Sequence, residues 1–387
     1  MRKAYLIIVS FLTSIFAVYL MLFIYTFFNF DNEFKHPLKS LEILNFHEKY
    51  SKKLHHVRGP FQVDLSFKKS KVEDLLFTTV NKLEDKEAIV LFQGDSWMAQ
   101  IRYTEDGNAF AKKLLQNFGS KNKVGFVNGG IASYSPSLMS VQLDVLEEDF
   151  KIFPNIVVAY INQEDIGDEI CRYKKNKIYK NGILNSVKQE TDFRGPGWFN
   201  YSKIYGLSRI YLNENSKITK TFQLINFKSM YAVKRSSKRI YKKYISSYNK
   251  DEPKIEKCYW ENVKKYFINP SKSDLNYFAS TIEEYLKKMV EKKHIQKVFL
   301  VTFPTKNHFY KNSDQEITYK FNVSDVVDSV VKNKKNVTHI NFSKILLNDI
   351  NFKYEDIWLE DNIHLKYDLH AKIFLQKILD ELSKYLG

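Results

Sequence analysis

The stretch VLFQGDSWMAQ, Val90 to Gln100, passes from an apolar run into Gly94, Asp95 and Ser96 and then onto a tryptophan. A short apolar run closed by glycine reads as a buried strand followed by a turn. In an open parallel sheet, ligands bind beyond the carboxyl ends of the strands, and Ser96 stands a few residues past such an end. By itself Gly-Asp-Ser reads equally well as a turn or as the setting of a nucleophile. A nucleophilic serine needs a base within reach and a carboxylate to orient that base.

Working outward, five short apolar runs have the length and β-branched content of buried strands: 88–92, 124–128, 156–161, 297–303 and 337–342. Ser135 and Pro136 read as the N-cap and first turn of a helix reaching about Phe153. Residues 282–293 and 369–386 show helical spacing as well. This alternation predicts an α/β protein whose parallel five-stranded sheet is covered on both faces. Residues 31–85 read as a lead-in and 86–387 as the main domain, interrupted at about 172–275.

Among nine histidines, His364 alone follows a carboxylate, Asp361, by three residues in the last α/β unit, LEDNIHLKYDLHAKIF. In a DxxH turn the aspartate accepts from one imidazole nitrogen and leaves the other for the serine hydroxyl. A surface loop carrying both residues by chance is the alternative. Cys/His clusters, CxxC and HExxH are missing from the sequence, so neither a metal nor a cofactor is expected.

Four blocks in order resemble the SGNH hydrolases, the GDSL-type esterase and lipase superfamily. Gly94-Asp95-Ser96 is similar to the first, VNGGIAS at 127–133 to the second, VVAYINQED at 157–165 to the third and DNIH at 361–364 to the fourth. The resemblance implies a three-layer α/β/α, flavodoxin-like fold with a Ser96, His364 and Asp361 triad. It also implies an oxyanion hole from the Ser96 and Gly130 N–H groups and the Asn162 amide. Trp97 stands where the family has leucine, Tyr160 where it has glycine, Gln163 where it has aspartate and Ser133 where it has a second glycine. Asp165 and Asp168 are placed to take over the structural role of the missing aspartate. Trp97 is expected beside the pocket, and His308, in PTKNHF, either contacts substrate or structures its loop.

Between Lys3 and Asp31 there is no charged residue. Spanning a bilayer takes about 20 apolar residues, so residues 1–30 are expected to form a transmembrane anchor rather than a cleaved signal peptide. Arg2 and Lys3 before the span put the N-terminus in the cytoplasm of an inner membrane and the main domain in the periplasm. The net charge of +16 is concentrated: Cys171 to Trp260 holds 21 Lys and Arg against 6 Asp and Glu. That compartment argues against nucleic acid and for an anionic glycan, anionic lipid or plain solvent around the insertion. Cys171 and Cys258 bracket it, either as a disulfide or as two isolated thiols.

These expectations describe an esterase or O-acyltransferase acting on O-acetyl groups of a cell-envelope polysaccharide. Members of the family with an anchor often work beside a multi-span membrane acyltransferase. The contrasting expectation is a catalytically inactive module that binds an anionic glycan or such a partner.

Overall fold

The computed structural model describes residues 2–28, 46–47, 49–58, 71–100, 114–119, 123–188, 221, 225, 258, 260–303, 305, 309–311, 317–319, 322–348, 358, 366 and 376–386. The chain divides into two compact units. The smaller takes residues 1–49, 59–72 and 197–256, and the larger takes 50–58, 73–196 and 257–387. Residues 50–58 and 73–85 of the expected lead-in, and residues 172–196 and 257–275 of the expected insertion, fall in the larger unit.

In the smaller unit, helix α1 runs Arg2–Phe28. Its apolar side chains face outward: Phe11 is 65% exposed and Phe16 66%. The Thr13 hydroxyl donates to the Val9 carbonyl, and Ser14 Oγ donates to the Ser10 carbonyl at 2.9 Å, so these polar groups are satisfied within the helix. Side chains along α1 are described continuously only from Val9 to Tyr25. Among the described residues, no helix is long and apolar enough to cross a membrane.

The larger unit is built on a six-stranded sheet. Its strands are β1 (Thr78–Thr79), β2 (Ala88–Gln93), β3 (Val124–Asn128), β4 (Ile156–Asn162), β7 (Lys297–Phe303) and β10 (Val337–Asn341), in the spatial order β1-β3-β2-β4-β7-β10. The five expected strands are all present and parallel. The short β1 adds an antiparallel edge, pairing Thr78 with Asn128 and Thr79 with Val127. Every residue of β4, IVVAYIN, is buried. A strand hydrogen-bonded on both sides and covered on both faces needs such an unbroken apolar run.

Alternation along β2 feeds two layers. Val90 and Phe92 join a core with Val158, Val301, Phe303, Phe342 and Trp358, covered by Ile378, Leu379 and Leu382 of the last helix, Gln376–Leu386. On the other face, Gln93 Nε2 donates to the Met139 carbonyl at 2.8 Å and to Gln142 Oε1 at 2.9 Å, and the Tyr285 hydroxyl donates to Gln93 Oε1 at 2.9 Å. Met139 and Gln142 lie on the helix Pro136–Phe150, and Tyr285 lies on the helix Lys272–Glu291. The first ends where Lys151 turns left-handed at φ 57°. The second starts ten residues before the expected 282, at a capping box: Ser271 Oγ accepts from the Asp274 N–H at 3.2 Å, and Asp274 Oδ2 accepts from the Ser271 N–H at 2.9 Å.

After β4 the chain forms a helical turn, Glu164–Gly167, a wider turn, Asp168–Tyr173, and a hairpin, β5 (Lys177–Lys180) with β6 (Ile183–Val187), and between β7 and β10 it forms a second antiparallel pair, β8 (Phe309–Lys311) with β9 (Ile317–Tyr319). At the hairpin tip Asn181 and Gly182 have φ 53° and 75°, the positive values of a tight two-residue turn. A disulfide joins Cys171 to Cys258 with Cα atoms 5.6 Å apart. It closes the chain around the basic segment at its root. Peptide mapping without reductant, on protein from an oxidising compartment, should recover the Cys171–Cys258 pair. Cys171→Ser should lower stability in urea by about 2–4 kcal/mol, and free thiols in the unaltered protein would refute the pairing.

Candidate active site

In this strand order, β2 lies between β3 and β4, so the chain reverses direction across the sheet at β2, and the crevice beyond its carboxyl end is the switch point where such sheets bind ligands. Ser96 is the first residue of the short helix Ser96–Gln100 and is half-buried there. Asp95 caps this turn, its Oδ1 accepting from the Trp97 N–H at 2.9 Å. Gly94 has φ 147°, and a Cβ on it would lie 2.6 Å from Tyr160 Cβ, so both its backbone angle and its neighbour demand glycine.

Asn162, at the end of β4, donates its amide to Asp95 Oδ2. Its Oδ1 accepts from the N–H groups of Glu164, at 2.8 Å, and Asp165, at 3.2 Å. One of the two N–H groups of the Asn162 amide is therefore engaged with the residue before the serine. The Gly130 N–H donates to Asn128 Oδ1 at 2.8 Å. A Cβ on Gly130 would meet Met98 and Ala99 backbone at 2.5 Å, so glycine is needed for the close approach of the Ser96 helix. The next N–H groups, of Ala132 and Ser133, make no hydrogen bond among the described residues. Ser133 is half-buried with φ 63°, the left-handed conformation in which the family's glycine has no strain.

Trp97 requires a correction. It is 1% exposed, stacked on Tyr160 with ring centroids 5.7 Å apart and tilted against Phe303 at 4.7 Å, because its side chain turns inward from the helix toward the sheet. It packs in the core rather than lining the crevice surface. The two departures from the family pattern thus explain each other, since the ring at 160 fills the space beside the ring at 97. Asp361, His364 and His308 lie outside the described residues.

The loop after β3 is held by every one of its carbonyls from Asn128 to Ser133. Arg58 Nη2 donates to Asn128 O at 3.3 Å and Arg58 Nε to Gly130 O at 2.9 Å. Gln142 Nε2 donates to Gly129 O at 2.8 Å, the Tyr134 N–H to Ile131 O at 2.9 Å, His56 Nε2 to Ala132 O at 2.8 Å and the Tyr173 hydroxyl to Ser133 O at 2.5 Å. Arg172 Nη1 adds a bond to Ser133 Oγ at 2.8 Å. The sequence reading missed Arg58, His56, Arg172 and Tyr173. They occur in SKKLHHVRGP and CRYKKNK, where polar and charged residues follow no helical or strand period.

Beside Asn162 lies a buried acidic group, Asp95, Glu164, Asp165, Asp168 and Glu169. Glu169 is accounted for. It accepts from the Ser137 N–H at 2.8 Å and from Ser137 Oγ at 2.7 Å at the start of the helix Pro136–Phe150, and it pairs with Lys177 at 3.0 Å. Ser135 at the N-cap gives its hydroxyl to the same carboxylate and makes no side-chain cap bond of its own. Burial pushes the Asp168 carboxyl up to about 7, against the pull of Arg172 at 2.8 Å. Burial, then the Asp95 charge, holds the Asp165 carboxyl well above the usual carboxylate range, although the Asn162 N–H donates to it at 3.0 Å. Among the described residues no group of three His, Cys, Asp or Glu side chains is arranged to hold a metal ion.

A second array has the distances of a triad: Thr302 Oγ1 lies 2.7 Å from His339 Nε2, and His339 Nδ1 lies 2.6 Å from Asp328 Oδ1. Thr302 is fully buried, so no substrate reaches it; the array ties the helix Asn322–Val331 to β7 and β10. A cavity of about 330 Å³, lined by Asp144, Lys180, Lys288 and Lys292 among others, opens between the hairpin and the helices that carry Asp144 and Lys288. Lys288 and Lys292 both pair with Asp144 in its wall.

No protein-family model matches the chain, and no curated protein matches it. Solved structures similar to it include a catalytic mutant of Axe2, an acetylxylan esterase from Geobacillus stearothermophilus. That likeness is 12% identical with a TM-score of 0.37, over 76% of this chain and 94% of that one. Another is LAE5, an alpha/beta hydrolase enzyme from the metagenome of Lake Arreo, Spain, at 8% identity and a TM-score of 0.40, over 78% of this chain and 97% of that one. At such scores the likeness carries nothing about chemistry, which rests on the residues of this chain.

The acidic group sets a pH dependence. A carboxyl whose folded pKa is raised binds its proton more tightly when folded, so stability is greatest below the unfolded value and falls as pH rises through the folded one. For Asp165 and Asp168 that decline starts near their ordinary value of 3.8, and for Asp168 it is complete above about 7. Asp165→Asn keeps an acceptor for the Asn162 N–H and removes the charge. Its melting temperature should exceed that of the unaltered protein by several degrees at pH 8 and match it at pH 4. A lower value at pH 8 would show that Asp165 is needed ionised.

Proposed function

We propose that this chain is a serine esterase or O-acyltransferase, held by α1 in an inner membrane with its larger unit in the periplasm, and acting on O-acetyl groups of a cell-envelope polysaccharide. The observation that carries the reading is Ser96, half-buried at the switch point on a turn capped by Asp95 and fixed through Asn162. Ser96 Oγ attacks the acyl carbonyl and gives its proton to His364, which Asp361 orients. The alcohol leaves with that proton, and water or a sugar hydroxyl then takes the acyl group from the serine. Backbone N–H groups of the Ser96 turn and of the loop after β3 receive the negative charge, each donor lowering the barrier by about 3 kcal/mol. The disulfide and the charge of the segment it encloses agree with a periplasmic setting and an anionic glycan, and the setting leaves nucleic acid out of account. A multi-span membrane acyltransferase is the partner that such an arrangement would serve.

One observation favours a second reading, a binding module without catalysis: the Gly130 N–H and one of the two N–H groups of the Asn162 amide are already engaged. Hydrolysis of p-nitrophenyl acetate by the larger unit's serine decides between them. The unaltered chain should turn over, and Ser96→Ala should reduce kcat/KM by about 10³-fold or more; equal background rates from both proteins would support the binding module.

The anchor is supported by the outward apolar side chains of α1 and by the hydroxyls of Thr13 and Ser14 bonded within the helix, as a hydrocarbon environment requires. The full chain should stay in the membrane pellet after a carbonate wash, and a chain lacking residues 1–30 should not. Release of the full chain into the supernatant would refute the anchor.

A further inference from the structure

We infer that Arg58 is a positioning residue for the nucleophile's turn, an inference that rests on the esterase reading of Ser96. Arg58 is 1% exposed, and its guanidinium donates to backbone carbonyls. Nη1 donates to Asp74 O at 2.9 Å, while Nε and Nη2 converge on Gly130 O, with Nη2 also reaching Asn128 O at 3.3 Å. A planar fork of this kind fixes a carbonyl in direction as well as distance, which the single ammonium of lysine does not.

What that carbonyl is joined to gives the contact its consequence. Gly130 C=O belongs to the same peptide unit as the Ile131 N–H, and in a trans peptide the two bonds point in opposite directions. The Ile131 N–H donates to Gly94 O at 2.9 Å. One peptide plane therefore has the buried cation on its carbonyl side and the backbone of the Gly94-Asp95-Ser96 turn on its amide side. Polarising the carbonyl strengthens the amide as a donor. The charge of Arg58 thus reaches the serine's turn without touching substrate. The packing around this unit leaves no slack, since Gly94 is pressed on Tyr160 and Gly130 on the Ser96 helix, each tolerating no Cβ.

Arg58→Lys and Arg58→Met test this in the full chain, by kinetics with p-nitrophenyl acetate and by amide hydrogen exchange. Both variants should lower kcat by about 10–100-fold, the scale of a misplaced reacting group, and leave KM within about threefold. The lysine variant, which keeps the charge, should lose less than the methionine variant. Exchange should quicken in residues 127–134 and 94–99 while β4 and β7 stay protected. If the methionine variant does not fold, the lysine variant decides. Unchanged exchange in residues 127–134 with unchanged kcat overturns the role, and so does a loss of protection spread evenly over the sheet. Should the unaltered chain show no turnover, the esterase reading fails, and the exchange comparison alone settles whether Arg58 holds the turn.

Discussion

The hydrogen bond from the Asn162 amide to Asp95 joins the carboxyl ends of β2 and β4, the two strands between which the chain switches direction. Parallel neighbours share a ladder along their length, but beyond the last pair nothing in a sheet holds their loops together. Here one carboxylate does so: Asp95 takes the Trp97 N–H with one oxygen and the Asn162 amide with the other. The turn carrying Ser96 is thereby fixed both to its own helix and to the neighbouring strand. The rest of the site is arranged around that bridge, with the loop after β3 pinned by its carbonyls on one side and the buried acids packed behind Asn162 on the other.

Much of this architecture is legible in residues 88–92, 124–128, 156–161, 297–303 and 337–342, because a strand buried on both faces can only be written as an apolar, β-branched run. Ser96 follows from its place just beyond the first of those runs, whereas Gly130 and Asn162 are singled out only by the resemblance of their blocks to the SGNH pattern. Two features were written plainly and still passed over. Asn181-Gly182 is a hairpin dipeptide, submerged in a segment dominated by lysine. Ser271 and Asp274 form a helix start ten residues before the apolar stripe that marks the helix interior.

Other parts leave no periodic trace. Arg58 is a buried cation satisfied by carbonyls of residues far along the chain, and in sequence it looks like any solvated charge near two histidines. The same holds for Arg172 and Tyr173, whose partner Ser133 lies some forty positions away. Trp97 is misread for the opposite reason: it is adjacent to the serine in sequence, but helix geometry carries its side chain away from the crevice and onto Phe303. Adjacency along the chain places a backbone; only packing places a side chain.

The disulfide has a consequence for how the sheet is assembled. Pairing β4 with β7 requires the chain to return after the whole basic segment, a long loop to close in a topology already slow to form. With Cys171 linked to Cys258, the covalent path between those strands shortens to about a third. The enclosed segment then hangs from the path as a side ring, free to vary in length and charge without lengthening the route by which the central strands find each other.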